Sequence, residues 1–176
     1  MKLAINFFAF QIGWFASVLG AANAMPWLGP VVLIFVLAIH FSMTDRPAQE
    51  ALLVLACAAI GIWFDSIFVA AGWIAYPSGQ WHAMLAPYWI VTMWMLFATT
   101  INVSMSWLKG RLLLATATGA VAGPLSYVAG QKLGGLEFVQ PVFAIVGLGV
   151  GWAIALPLVV ALAVRLDATP PQELRI

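Results

Sequence analysis

Charge is scarce in this sequence. Only 7% of its 176 residues are Asp, Glu, Lys or Arg, whereas a soluble domain has about 25%. The formal net charge is +1 and there is no basic run, so nucleic acid is not an expected partner. The shortage of charge argues against a water-soluble domain and points to the membrane.

Cysteine and histidine are scarce as well. Cys57 is the single cysteine, so we expect no internal disulfide and no paired-thiol redox chemistry, and Cys57 should pack as a small hydrophobic residue. The two histidines, His40 and His82, fall near opposite ends of the predicted bundle. Because the sequence has no Cys-x-x-Cys or His-x-x-x-His spacing, we predict neither a metal site nor a cofactor.

Apolar residues make up 64% of the chain, in runs that approach or exceed the roughly 20 residues needed to cross a bilayer. Lipid cannot satisfy backbone polar groups, so spanning segments are helices or closed barrels, and continuous apolarity without strict alternation excludes a barrel. We predict an all-α bundle of six transmembrane helices in one domain, residues 1–166, followed by a flexible cytoplasmic tail, residues 167–176. The predicted helices cover residues 3–24, 27–43, 47–76, 87–107, 112–130 and 141–164.

The basic residues predict the orientation, because Lys and Arg concentrate in cytoplasmic loops. With the N-terminus inside, Lys132 is the one basic residue that falls outside. The others fall inside: Lys2, Arg46, Lys109, Arg111, Arg165 and Arg175. We therefore predict that both termini are cytoplasmic.

The first apolar run could also be a secretory signal peptide. Ala22-Asn23-Ala24 resembles a cleavage site for such a segment. However, the run is longer than a typical signal core and contains Asn6 and Gln11, which are unusual there. We therefore expect the first helix to be retained.

Asp65 is the one charged residue inside an apolar run. A charge at membrane depth costs about 2.5–3.5 kcal/mol on insertion scales and is a functional-site hypothesis by default. Asp65 lies about 22 Å along the helix from Glu50, and therefore in the outer half of the bilayer. Its helical neighbours are mostly small, so we expect its side chain to face the protein interior. These neighbours are Ala58, Gly61, Phe68 and Gly72.

Several groups in the outer half could complete a site around Asp65. Besides Asp65 itself, the candidate catalytic residues are His82, Tyr127 and Glu137, because each side chain can take part in proton transfer. The alternative is that Asp65 is a hydrogen-bonded residue that fixes helix packing. The sequence leaves both interpretations open, and His82 by itself is more typical of a loop or interface histidine.

A second set of candidates would bind a ligand. It comprises Asp65, Asn6, Gln11, Trp14, Trp94 and Asn102. The tryptophans at membrane depth could line a cavity for a lipid chain or a flat ligand; they are Trp14, Trp63, Trp94 and Trp152. The alternative is ordinary core packing and hydrogen bonding between helices, worth about 0.6 kcal/mol for each bond.

Small residues at four-residue spacing predict how the last two helices pack. Helix 5 has Ala115, Gly119 and Gly123, and helix 6 has Gly147, Gly151 and Ala155. Such faces let helix backbones approach closely in lipid. We therefore predict that helices 5 and 6 pack together through these residues.

Three stretches resemble a small bacterial inner-membrane family of unknown function. They are NFFAFQIGWFASVLGAAN (residues 6–23), PYWIVTMWMLFATTINVSMSWLKGR (residues 87–111) and GPLSYVAGQKLGG (residues 123–135). Together they resemble the family over almost the whole chain. The family has no established activity, so the resemblance implies no catalytic residues. Its members are often encoded beside cyclopropane-fatty-acyl-phospholipid synthases and lipid-linked flavoproteins, which implies a role in membrane-lipid modification or envelope stress.

Three functions remain open at this point. The favoured one is a lipid-associated accessory protein of the inner membrane, with lipids and other inner-membrane or lipid-modifying proteins as partners, rather than an enzyme. The second is a transporter or flippase for a lipid or small amphiphile, which would need Asp65 in a water-accessible cavity. The third is a lipid-modifying enzyme, which would need Asp65, His82 and either Tyr127 or Glu137 to converge.

Overall fold

The structure is a computed structural model that describes residues 1–168. Six α-helices form the described part of the chain: α1 (Lys2–Ala22), α2 (Leu28–Ser42), α3 (Pro47–Ala70), α4 (Tyr88–Ile101), α5 (Leu112–Lys132) and α6 (Pro141–Ala168). Two short strands, β1 (Ile74–Ala75) and β2 (Glu137–Phe138), pair as an antiparallel ribbon. The predicted all-α class is confirmed.

Four of these helices, α1, α3, α5 and α6, are long and apolar enough to cross a membrane. The other two, α2 and α4, have 15 and 14 residues and fall short of the roughly 17 that a span requires. Large apolar side chains such as Phe35, Trp63 and Val142 point outward from the helices. Contiguous apolar surface of this kind suits lipid and not water.

Helix α4 is shorter than the predicted 87–107 segment. It ends at Ile101 and is followed by turns and a 3-10 helix, Ser106–Leu108. The hydroxyls of Thr99 and Thr100 bond back to carbonyls one turn earlier, and the Met105 N–H donates to the Thr100 carbonyl. Hydroxyl side chains compete in this way with the backbone hydrogen bonds of a helix. This explains why the apolar pattern predicted a longer helix than the structure has.

Helix α3 also ends earlier than predicted, at Ala70 and not near Tyr76. Gly72 has a left-handed conformation with φ +67°, which terminates helices because glycine adopts it without strain. The chain then turns back, and Ile74 pairs with Phe138 in the ribbon. Two-residue strands leave too little pattern for a sequence-based prediction.

Helix α6 extends past the predicted end at 164, through Ala168. Asp167 is therefore helical and not part of a flexible tail. It is held in place because Lys109 pairs with its carboxylate and Arg46 donates to its carbonyl. The rest of the predicted tail, 169–176, lies outside the described residues. The remaining helix ends differ from prediction by no more than two residues.

The two ends of the bundle differ in chemistry. At one end α1 begins and α6 ends, and we call it the terminal face. There Lys2 Nζ donates to the Met43 carbonyl at 2.7 Å, and Lys109 pairs with Asp167 near the end of α6. The opposite end, which we call the ribbon face, carries β1, β2 and the 76–87 connection.

Helices α5 and α6 pack closely together, as predicted. On α5 the predicted residues make the contact, because a Cβ on Gly119 or Gly123 would overlap Trp152 of α6. On α6 the neighbours are Trp152 itself and Gly149, which lies against the Ala120 carbonyl. At this close approach, Trp152 of α6 therefore packs directly against Gly119 and Gly123 of α5.

The predicted small face of α6 has a different partner. Gly147 lies under the ring of Phe68, and Gly151 lies under the ring of Phe64, both on α3. The prediction that Gly151 meets α5 is therefore wrong. The reason is geometric, since residues 147 and 151 share one side of α6 and residues 149 and 152 share another.

Helix α4, although short, is central. It packs against α1, α2, α3 and α6, whereas α5 packs against α6 and the 3-10 helix. As a result α1 and α5 face each other across α4 without a close helix–helix contact of their own. This gap borders the candidate functional site.

Candidate functional site

Asp65 is completely buried and accepts three hydrogen bonds. The hydroxyls of Tyr76 and Tyr127 donate to Oδ1 at 2.9 and 2.7 Å, and Trp94 Nε1 donates to Oδ2 at 2.7 Å. The three donors come from the segment after β1, from α5 and from α4. The carboxylate is therefore a junction between α3 and three other parts of the chain.

The local sequence explains how two of these donors reach Asp65. Gly61 lies one helical turn before Asp65, and its missing side chain leaves room for the Trp94 indole to lie on α3. The left-handed turn at Gly72 sends the chain back so that Tyr76 reaches the carboxylate. Burial, and then the neighbouring Asp65 carboxylate, raise the pKa of the Tyr76 phenol well above its usual value, so Tyr76 remains a hydrogen-bond donor.

The candidate catalytic residues do not all converge. Tyr127 bonds directly to Asp65. His82 is exposed in the connection before α4, where its Nδ1 accepts the Met84 N–H, and Glu137 is exposed on β2. Within the described residues neither of these two side chains bonds to Asp65, and sequence reasoning did not single out Tyr76 above other outer groups.

An apolar cavity of about 240 Å³ lies beside the Asp65 junction. Trp94 and Tyr127, which hold Asp65, also line this cavity. The rings of Trp94 and Trp152 stack face to face, with centroids 4.8 Å apart and planes 8° apart, and form one wall. The buried Trp152 Nε1 lies beside the Tyr127 hydroxyl but outside hydrogen-bonding geometry.

The cavity is long in the direction of the helices. On α5 its lining runs from Thr118 to Gly130, which is about 18 Å at 1.5 Å per residue. Helix α1 supplies the facing wall through Phe10, Trp14 and Val18. Helices α1 and α5 do not pack closely together, and the cavity occupies the space between them.

The cavity is closed at the ribbon face. Gly135, in the turn before β2, lies against Val18, where an added Cβ would come within 2.9 Å of Val18 Cγ1. Leu136 is buried there and lines the end of the cavity. Ser78 holds the end of α1 from the other connection, by donating to the Ala21 carbonyl at 2.9 Å. The cavity therefore ends blindly at this face.

The predicted ligand-binding residues divide into two groups. Trp14 and Trp94 line the cavity, whereas Asn6, Gln11 and Asn102 do not. Asn6 instead ties α1 to the end of α4, since it donates to the Thr99 carbonyl at 2.9 Å and accepts from Ser104 at 2.7 Å. Gln11 is half-buried outside the cavity lining.

A second buried polar cluster joins α2, α3 and α4 near the terminal face. His40 Nε2 lies 3.0 Å from Glu50 Oε2, and Asn102 Nδ2 donates to Glu50 Oε1 at 2.7 Å. Glu50 was not among the candidate residues predicted from the sequence. The sequence did contain a clue to this cluster, because the short link between α2 and α3 brings the end of α2, with His40, near the start of α3, with Glu50. The described residues contain no group of three or more His, Cys, Asp or Glu side chains suited to a metal ion.

Four helices that could span a membrane, apolar side chains that face outward and a polar junction buried inside are the features of a helical membrane protein. A family model described as a protein of unknown function, DUF2878, matches residues 3–158. The chain belongs to this family, so the resemblance to a family of unknown function is confirmed. No curated protein and no solved structure matches the chain.

Proposed function

We propose that this protein is a lipid-associated accessory protein of the bacterial inner membrane, which binds a hydrophobic part of a membrane lipid and takes part in membrane-lipid modification or envelope stress. The observation that carries the proposal is the apolar cavity walled by α1, α4, α5 and α6. Its partners would be membrane lipids and lipid-modifying proteins of the same membrane.

The size and lining of the cavity support a lipid ligand. A cavity of about 150 Å³ lined by apolar side chains stays dry and binds benzene. A cavity of 240 Å³ accepts a larger apolar group, yet much less than a whole phospholipid. A lipid that places only part of its apolar region in the cavity, between α1 and α5, and leaves the rest in the bilayer fits both the volume and the apolar lining.

The Asp65 junction favours an accessory role over catalysis. The carboxylate has no exposed surface, and three donors occupy it. General acid–base chemistry requires hydrogen-bond contact with the substrate, directly or through one water. A transporter or flippase is the second candidate, favoured by the position of the cavity between two helices that do not pack closely together, although the lining of the cavity is almost entirely apolar.

The proposed topology has six spans and both termini in the cytoplasm. Basic side chains support it, because Lys2, Arg46 and Lys109 gather at the terminal face, as the positive-inside rule requires of the cytoplasmic side. Helices α2 and α4 would cross with the help of their flanking turns, since α4 lies at the centre of the bundle and α2 packs against α1 and α4.

Filling the cavity tests the proposal. Ala122 lines the cavity on α5, so Ala122→Phe would occupy its volume. Ala117 is exposed on the same helix and does not line the cavity, so Ala117→Phe is the matched control. The measurement is the mass-spectrometric content of lipid that remains bound after purification and washing in detergent.

We expect the parent protein and Ala117→Phe to retain a lipid component at close to one molecule per chain, and Ala122→Phe to lose most of it. Equal retention by all three proteins, or retention by none, would contradict the proposed function. Circular dichroism of Ala122→Phe confirms that the helices are intact.

A further inference from the structure

We propose that the cavity takes a single unbranched acyl chain, methyl end first, and that the anionic head group of this lipid lies at Arg111. The inference rests on the proposed lipid-binding function and identifies the ligand's class and orientation. It follows from the shape of the cavity, its closed end and a cation that has no partner among residues 1–168.

The shape favours one chain. The lining extends about 18 Å along α5, from Thr118 to Gly130, while the volume is only 240 Å³. A volume of 240 Å³ spread over about 18 Å describes a long and narrow space. A flat ring system or a pair of chains needs a shorter and wider space, whereas an extended hydrocarbon chain parallel to the helices fits.

The closed end fixes the direction. At the ribbon face, Gly135 packs on Val18, and the buried Leu136 lies across from Gly130. These groups are apolar and offer no partner to a head group. A buried polar group without a partner is costly, so the methyl end of the chain belongs at Gly130.

The cation lies toward the other end. Arg111 immediately precedes α5 and is seven residues from Thr118, which puts both on one side of the helix, about 10 Å apart along its axis. Arg111 is exposed, and within the described residues its side chain forms no hydrogen bond or ion pair. Lys109, two residues earlier, is already paired with Asp167. Arginine is the side chain that best binds carboxylate and phosphate groups.

The test measures how the affinity for a fatty acid depends on the length of its chain. Gly130→Val fills the blind end, where an added Cβ meets only the end of the Leu136 side chain, at 3.3 Å. Detergent-solubilised protein is titrated with saturated fatty acids of increasing length, in competition with one tritiated fatty acid. We expect Gly130→Val to weaken the longest chain that the parent protein accommodates by about tenfold, the effect of displacing about two buried methylenes, and to leave short chains unchanged.

The head group is tested with matched methyl esters, which lack the negative charge. We expect the parent protein to prefer acid over ester, and Arg111→Gln to lose that preference with an unchanged chain-length profile. Lys2→Gln, at the same face, is the control and should keep the preference. Titration with lysophosphatidylglycerol of matched chain length distinguishes a phosphate head group from a carboxylate.

Two results would overturn the inference while the proposed function stands. One is an equal loss for all chain lengths in Gly130→Val, and the other is an acid-over-ester preference that survives Arg111→Gln. If the parent protein binds no fatty acid or lysolipid of any length, the proposed function fails, and the inference fails with it.

Discussion

Asp65 is stable in an apolar bundle because three hydrogen-bond donors replace water. Hydrogen bonds to a charged group contribute about 1.5–3 kcal/mol each, and here they come from Tyr76, Tyr127 and Trp94. Each donor is a long aromatic side chain that also packs in the core. The junction therefore couples the polar and apolar parts of the fold at one residue.

This coupling predicts non-additive effects on stability. Asp65→Asn keeps the shape of the side chain but weakens the acceptor, and Tyr127→Phe removes one donor. We expect each substitution to lower the free energy of unfolding by about 1–3 kcal/mol, and the double variant to lose clearly less than the sum of the two.

The measurement is thermal or denaturant unfolding in a fixed detergent, followed by tryptophan fluorescence. Leu125→Phe, on the exposed side of α5, is the control and should be neutral. Full additivity of Asp65→Asn and Tyr127→Phe would contradict the view that the two side chains act as one junction.

At the scale of the element, helices are predictable where apolar runs are long. The runs that became α1, α3, α5 and α6 are evident in the sequence. Helix ends are set by other physics: Thr100 ends α4 through its own hydrogen bonds, and Gly72 ends α3 through its positive φ. Hydropathy does not register either effect, so both helices were predicted too long.

The contact between α2, α3 and α4 also depends on side chains that hydropathy overlooks. Glu50 is the shared partner of His40 and Asn102. Glu50→Ala would leave the buried His40 and the half-buried Asn102 without that partner, at a cost of about 1–3 kcal/mol. We expect a clearly lower unfolding temperature in detergent, and a smaller loss for Glu50→Gln, which keeps an acceptor oxygen.

Glu137→Ala provides the comparison, because Glu137 is exposed on β2 and its removal should change the unfolding temperature little. The cluster would have no stabilising role if Glu50→Ala and Glu137→Ala unfolded at the same temperature.

At the scale of the whole molecule, the class of protein was predictable and the cavity was not. The scarcity of charge and the long apolar runs are enough to predict a helical membrane protein. The cavity arises because α4 packs with α1 while α5 packs with α6, and no local pattern encodes the space left between them. Trp14, Trp94 and Trp152 were predicted as possible lining residues because tryptophans at membrane depth could line a cavity. Trp63, predicted on the same ground, faces outward instead.

The partner of the small-residue face on α6 was also predicted incorrectly, because it too depends on contacts between helices. Its glycines 147 and 151 indicated close packing, but spacing alone does not name the partner helix. In the folded chain they accommodate aromatic rings of α3, while the bulky Trp152 lies on the glycines of α5. Which helix packs against a glycine depends on where the bulky aromatic rings of the neighbouring helices lie. The spacing of residues in one helix does not give this information.

The central claim is that an acyl chain occupies the cavity. Photolabelling of nanodisc-embedded protein, with a fatty acid that carries a diazirine in mid-chain, tests this claim most directly. We predict that labels will form at cavity-lining residues such as Met93 and Ala122 and that excess unlabelled fatty acid will suppress them. Labels confined to outward-facing residues such as Leu113 and Val121, with no competable labels in the cavity, would contradict the account.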